Sequence, residues 1–237
     1  MIAYPAMLDV PRELIRFTAG LLRTERKARG TRKGTRALTC WALAARAPDL
    51  HQALQHALDT GLTHLELDGK IFSADRCRIT ILSTKGKPID EWCSGKAHQH
   101  GGNIQALSEA DGFPIFTSDV EPGHIHAIDA ARVHILPMLY PHTGQLPVLA
   151  DPGYQGAGHG VIVPIAAPTG SNVLAIDNRC RNHLQRFLRC RAERGFALLT
   201  ERWQALQHTS LSPSRIGDLV RAARVLTLFE PGSTESH

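Results

Sequence analysis

The sequence predicts an α/β fold in which a mixed sheet is flanked by helices, and three observations carry that expectation. A short apolar run, Leu146 to Ala150, ends on Asp151 and breaks at once into Pro152, Gly153 and Tyr154, the mark of a buried strand stopped abruptly. Residues 63–72 alternate, with Leu65, Leu67 and Ile71 set against His64, Glu66 and Asp68, which is strand periodicity. Within residues 178–206 the side chains of Ala192, Phe196, Leu199, Trp203 and Leu206 recur every three or four positions, giving a long helix with one apolar stripe. An acid at the mouth of a buried strand sits on rigid backbone at the carboxyl edge of the sheet, where α/β folds keep their chemistry.

Size and charge narrow the partners. With 237 residues, 43% of them hydrophobic, the chain is long enough to bury a core, and its formal charge of +5, rich in clustered arginine, favours an acidic partner such as nucleic acid. Five cysteines (Cys40, Cys77, Cys93, Cys180, Cys190) are odd in number, irregularly spaced and without a C-x-x-C pair, so reduced thiols in a cytoplasmic protein are expected and a zinc site is not. No leader-like N-terminus and no run of about eighteen apolar residues is present, so neither export nor a membrane span is expected.

Taken in order, Asp9 and Pro11 open a helix over residues 9–22 that aligns Leu14, Phe17 and Leu21. Residues 23–36 then hold Arg23, Arg26, Lys27, Arg29, Arg32, Lys33 and Arg36 against one acid, Glu25, with glycines that oppose a continuous helix. The run is either a solvated connector or an arm that grips phosphates, adding affinity without sequence specificity. A second helix spans 37–60 and stops at Gly61. On the strand that follows, Glu66 and Asp68 share a face; Glu66 is expected to be solvent-exposed, whereas Gly69 lets another group approach the backbone beside Asp68. Residues 75–91 suggest a hairpin turning at Lys85–Pro88. Next, Ser94, Gly95, Lys96, His98 and His100 form a polar loop ahead of a strand from about Asn103; the His-x-His spacing, lacking a third ligand nearby, reads as structural or phosphate-contacting.

A partner strand over 113–120 is joined through the hairpin signal Asp111-Gly112. A helix over 126–136, closed by Pro137, leads to the Asp151 strand, and another strand covers 161–165. In the long helical region Glu193 lies beside the apolar stripe among Arg186, Arg189, Arg191 and Arg194, either as a salt-bridged surface residue or as a carboxylate leaning over the sheet edge. Gly195, costly inside a helix, implies close packing. A last helix spans 213–229, and the tail from residue 231 is expected to be loose.

Strand with Asp68, antiparallel hairpin, helix, strand ending in Asp151, helix with Glu193: this is the order of a ribonuclease-H-like sheet. Three carboxylates at one edge repel unless cations neutralise them, and hard oxygen ligands select magnesium or manganese. Two such ions about 4 Å apart stabilise both oxygens of a phosphodiester exchange.

The ordered segments LELDGKIF, SGKAHQHGGNIQ, EPGHIHAIDAAR, LADPGYQG, RAERGFALL and PSRIGDLVRAARVLTLFE resemble the DDE transposases of bacterial insertion sequences, specifically the insertion sequence five group with a Harbinger-like endonuclease domain. By that resemblance Asp68, Asp151 and Glu193 are the catalytic, metal-binding acids, and two Mg2+ or Mn2+ ions support nicking and strand transfer at element ends. The resemblance further implies double-stranded DNA as partner, a homodimer on DNA, and a nucleoid-associated place in the bacterial cytoplasm. The DNA contacts expected are Arg26, Lys27, Arg29, Arg32, Lys33, Arg36, Lys96, His98, His100 and Arg194. Residues 1–60 would be a truncated, basic DNA-binding part, 61–230 the endonuclease domain and 231–237 a flexible tail. The sequence departs from the family at three points: Arg36 runs almost directly into TCWALAARAPDL where a helix-turn-helix is common, Thr200 stands where a lysine often follows the glutamate, and Ala127 follows His126 in place of aspartate. The alternative to an active, truncated transposase is a noncatalytic DNA-binding remnant; a metal-dependent hydrolase of small phosphoesters is disfavoured by the clustered arginines.

Overall fold

The alternating stretch around Asp68 folds as the centre of a mixed sheet. In the computed structural model residues 12–30, 36–170 and 173–228 are described. Their elements are α1 (Arg12–Ala28), α2 (Arg36–Ala44), α3 (Leu50–Asp59), β1 (Leu65–Ser73), β2 (Thr80–Leu82), β3 (Pro88–Asp90), β4 (Cys93–Ser94), β5 (Gln99–Ser108), β6 (Pro114–Thr117), β7 (Glu121–Pro122), α4 (Ala127–His134), α5 (Leu136–Leu139), β8 (Val148–Ala150), β9 (Val161–Ile162), α6 (Ile176–Arg189), α7 (Ala192–Arg202) and α8 (Ile216–Leu228).

Among the described residues seven strands make one sheet in the order β4-β5-β1-β8-β9, with β6 and β7 also paired to β5. β1 runs antiparallel to β5, from Glu66 opposite Ser108 to Ser73 opposite Gly101, and parallel to β8, from Leu65 opposite Val148 to Leu67 opposite Ala150. β8 in turn runs parallel to β9. This antiparallel meander joined to parallel strands is the ribonuclease-H-like arrangement that the element order predicts. β2 and β3 form a separate hairpin, its turn closed by the bond from the Ser83 N–H to the Lys87 carbonyl.

Both faces of the sheet are covered. On one, Leu65, Leu67, Leu107, Val148 and Ala150 pack with Leu54, Ala57, Ala131, Ile135 and Leu139 from α3, α4 and α5. Each buried leucine, isoleucine or valine among them stabilises the fold by roughly 1.5–3 kcal/mol relative to exposure. On the other, the Gln185 amide of α6 donates to the Ala150 and Ile162 carbonyls at 3.1 and 2.7 Å, and Phe196 of α7 meets Phe72 edge-on at 5.7 Å.

The chain forms two compact units, Met1–Ala47 with Asp218–His237 and Pro48–Gly217. α3 falls in the same unit as the sheet and buries Leu50, Ala53, Leu54 and Ala57. In the smaller unit Leu21, Ala42, Leu43, Ala222 and Val225 pack together, and the Trp41 indole donates to Asp218 at 3.1 Å.

Several helix limits differ from those read in the sequence. α1 continues to Ala28 through part of the basic run, because Arg, Glu, Lys and Ala are good helix formers, and the chain turns out at Gly30 with φ 62°. The 37–60 stretch is two helices; it breaks before Asp49, which caps α3 in a reciprocal box with Gln52. Pro137 does not close α4 but starts α5, where its missing N–H is harmless. The 178–206 region splits at Cys190–Arg191 into α6 and α7, and the second strand of the parallel pair is shorter than 161–165. All five cysteines are free, and no described helix is long and apolar enough to cross a membrane.

The helix break is tied to the β5–β6 turn. Gly195 lies against the Gly112 carbonyl, so a Cβ there would overlap backbone, as Gly195's placement in a helix led us to expect. Gly195→Ala is predicted to destabilise the protein by about 1–3 kcal/mol. Gly20→Ala, with nothing within 4 Å of the added carbon, should stabilise by roughly 0.5–1 kcal/mol. Urea unfolding of both variants checks the pair; equal effects would contradict the packing described.

Candidate active site

The site begins with register. Leu67 and Ala150 are the last paired positions of β1 and β8, and the next residue of each chain is an aspartate, Asp68 and Asp151. Neighbouring strands lie about 4.8 Å apart, and parallel positions in register share a face. Both aspartates are partly exposed. Asp151 leaves β8 with extended backbone into a 3-10 turn at Pro152–Tyr154, and its Oδ1 accepts the Gly153 N–H at 2.8 Å. Its Oδ2 takes no hydrogen bond from the described residues.

Behind the pair is a buried hydrogen-bond chain. The Tyr154 hydroxyl donates to Gln105 Oε1 at 2.5 Å, the Gln105 amide donates to Asn103 Oδ1 at 2.8 Å, and the Asn103 amide donates to the Ile125 carbonyl at 2.9 Å. Gln105 stands opposite Gly69, and a Cβ at Gly69 would overlap its amide and come within 2.9 Å of the Tyr154 hydroxyl. The close approach that Gly69 permits is thus made by Gln105 and Tyr154. Burial, reinforced by the charges of Asp68 and Asp151, pushes the Tyr154 phenol well above its usual pKa, so it stays protonated and donates.

Glu66 corrects the expectation of an exposed acid. It is 0% exposed, neither carboxylate oxygen has a hydrogen-bond partner, and the nearest cationic candidate, His64 Nε2, is 4.0 Å away. Burial raises its pKa to about 7; Arg189 opposes the shift, Asp68 and Asp111 add to it, and Arg191 opposes it. Alternation identified the face that Glu66 shares with Asp68, but covering of that face by α6 and α7 is a tertiary fact.

Lys70, next along the same face, was not singled out in the sequence. Its ammonium donates to Thr200 Oγ1 of α7 at 3.4 Å and lies 5.9 Å over the Phe72 ring. Burial lowers its pKa, with Asp68 and Glu201 opposing. The signal available in sequence was the spacing Glu66, Asp68, Lys70 on one strand face.

Glu193 is the second residue of α7; its side chain lies outside the described residues. Among the described residues no group of three His, Cys, Asp or Glu side chains converges as a metal site. Two adjacent carboxylates are present, and oxygen donors of this kind fit a hard divalent cation.

The remaining candidates are dispersed. On α1, Lys27 is exposed, Arg26 is half-buried with its Nε unpartnered, and Arg29 pairs with Glu25 at 2.5 Å while stacking over Trp41 at 4.6 Å. Arg32, Lys33 and the Arg36 side chain lie outside the described residues. Lys96 and His98 are exposed in the β4–β5 turn, His98 with φ 52°, and His100 Nδ1 lies 3.8 Å from Asp90 Oδ2. That turn precedes the end of β5 that pairs with Ser73, whereas Asp68 pairs with Ala106; the interval along the strand is roughly 17 Å. The β4–β5 turn is therefore not brought to the aspartates. Arg194 is exposed on α7.

The sheet order and the aspartates at the β1–β8 edge define a ribonuclease-H-like domain with an acidic site. Residues 68–227, about two thirds of the chain, match the family of DDE superfamily endonucleases, a span that opens on Asp68 and contains Asp151 and Glu193. The chain belongs to that family. No curated protein and no solved structure matches it.

Glu66 makes stability depend on pH. Below about 4.5 it is protonated folded and unfolded alike; between 4.5 and about 7 only the unfolded chain ionises. The native state therefore loses stability as pH rises, on the order of 3 kcal/mol in all. Glu66→Gln should be near wild-type stability at pH 4.5 and more stable by that amount at pH 8, measured by urea unfolding without divalent metal. A difference that does not change with pH would contradict the buried, unpartnered carboxyl.

Proposed function

We propose that this protein is a transposase-type nuclease that cleaves DNA strands at element ends and joins them to a target, with Asp68, Asp151 and Glu193 holding Mg2+ or Mn2+. The observation that carries this reading is the register of β1 and β8, which sets Asp68 and Asp151 on neighbouring strands within a family of DDE superfamily endonucleases. When bound, the metal supplies positive charge that offsets the carboxylates and favours attack at a phosphodiester.

The chain's own residues do the rest. Asp68 and Asp151 are held by strand backbone, so little reorganisation is needed when substrate arrives. The Gly153 N–H fixes Asp151 Oδ1 and leaves Oδ2 available. Tyr154, Gln105 and Asn103 brace the strand beneath Asp68 without a free acid or base among them. Exposed basic residues, Lys27, Lys96 and Arg194 among them, are the DNA backbone contacts in this reading, with Arg26, Arg29, Arg32, Lys33, Arg36, His98 and His100 as further members. A homodimer on double-stranded DNA, in a bacterial cytoplasm, is the matching assembly and setting.

The test is nicking of duplex DNA with Mg2+ or Mn2+. Asp151→Ala and Asp68→Asn should each lower the rate by about 1,000-fold, some 4 kcal/mol of barrier, while salt-sensitive DNA binding persists. Wild-type protein that binds DNA but never nicks it would leave the noncatalytic reading in place.

A further inference from the structure

Lys70 is a cation that the fold positions but does not neutralise. It follows Asp68 by two residues on β1 and so shares its face, and its cross-strand partner is Ile104. Its side chain is half-buried. Among the described residues the ammonium has one hydrogen-bond partner, Thr200 Oγ1, and no carboxylate within ion-pair distance. Thr200 donates its own proton to the Phe196 and Ala197 carbonyls at 2.9 and 3.1 Å, so its oxygen is an acceptor for Lys70. The ammonium also lies 5.9 Å over the ring of Phe72, which is itself packed against Phe196. An ammonium has three donors, and here only one is engaged.

Asp68 and Glu201 act on the ammonium only from beyond ion-pair distance, so an anion docking beside it would meet donors that the fold leaves unused. We infer that Lys70 contacts a backbone phosphate of the DNA strand held at Asp68 and Asp151, with Thr200 as the positioning residue that aims its ammonium from α7. This rests on the nuclease reading and adds to it a specific substrate contact. The ligand class is a phosphodiester, which suits a compact, strongly hydrated charge on a flexible stem. Lys70 and Thr200 touch across β1 and α7, so a lysine placed at 200 would return an ammonium to the same space from the helix.

The test measures binding of a fluorescent duplex over a range of salt, with calcium replacing magnesium so that binding is read without turnover. Removing one phosphate contact should reduce the slope of log K against log[salt] by about 0.9. Lys70→Gln is expected to show that reduction and to slow Mg2+-dependent nicking by about 10-fold or more, while Lys70→Arg retains the slope. The double variant Lys70→Gln/Thr200→Lys should recover both slope and nicking. Lys70→Met, which keeps an unbranched stem without the charge, replaces the glutamine variant if thermal melting shows that the latter is not folded. An unchanged slope in folded Lys70→Gln or Lys70→Met, or no recovery in the double variant, overturns the inference. Failure of wild-type protein to nick overturns the nuclease reading instead, and the two results are separable because the slope is read without cleavage.

Discussion

The parallel pairing of β1 with β8 is the constraint on which the rest depends. Leu65 against Val148 and Leu67 against Ala150 bury one face in the α3–α5 core, and the same register carries Asp68 and Asp151 side by side just past the last β1–β8 pair. A slip of one residue would turn the buried leucines outward and the acids inward. The register that secures the core therefore also sets the separation of the acids. Gly69 adds a second constraint, because only a residue without Cβ lets Gln105 and Tyr154 close beneath the strand.

Charge is the other organising term. Glu66 and Asp68 lie on one face of β1 with Asp151 alongside; the charge of Asp68 acts on both Glu66 and Tyr154, and that of Asp151 on Tyr154. Arg189 and Arg191 soften the field at Glu66, and Lys70 provides the cation on the strand itself. Glu66 stays largely uncharged below pH 7, so burial removes one negative charge from a crowded edge. The two aspartates, partly exposed, keep access to solvent. The site is thus graded from a buried, largely uncharged carboxyl at Glu66 to partly exposed carboxylates at the rim.

Much of this was legible in the sequence where local chemistry decides structure. The alternation at Leu65–Ile71, the Asp111-Gly112 turn, the Pro-Gly break after Asp151 and the tight packing at Gly195 are each set by a few neighbouring residues, and the structure contains them. The failures have tertiary causes. Glu66 alternates like an exposed residue, but α6 and α7 cover its face. The apolar stripe through Phe196 and Leu199 does not reveal that the β5–β6 turn lies against Arg191, where the helix is divided. Lys70 was passed over because its partner, Thr200, is 130 residues away. The approach of Glu193 to the aspartates rests on the family resemblance, as its side chain lies outside the described residues.

In the function proposed above, Asp68 and Asp151 jointly hold a hard divalent cation. The most direct measurement is titration of the protein with Mn2+, read by electron paramagnetic resonance, for wild type, Asp68→Asn and Asp151→Asn. Loss of the tight Mn2+ signal in each single variant, with folding intact by circular dichroism, is the predicted result. Binding in both variants indistinguishable from wild type would contradict a shared metal site at the β1–β8 edge.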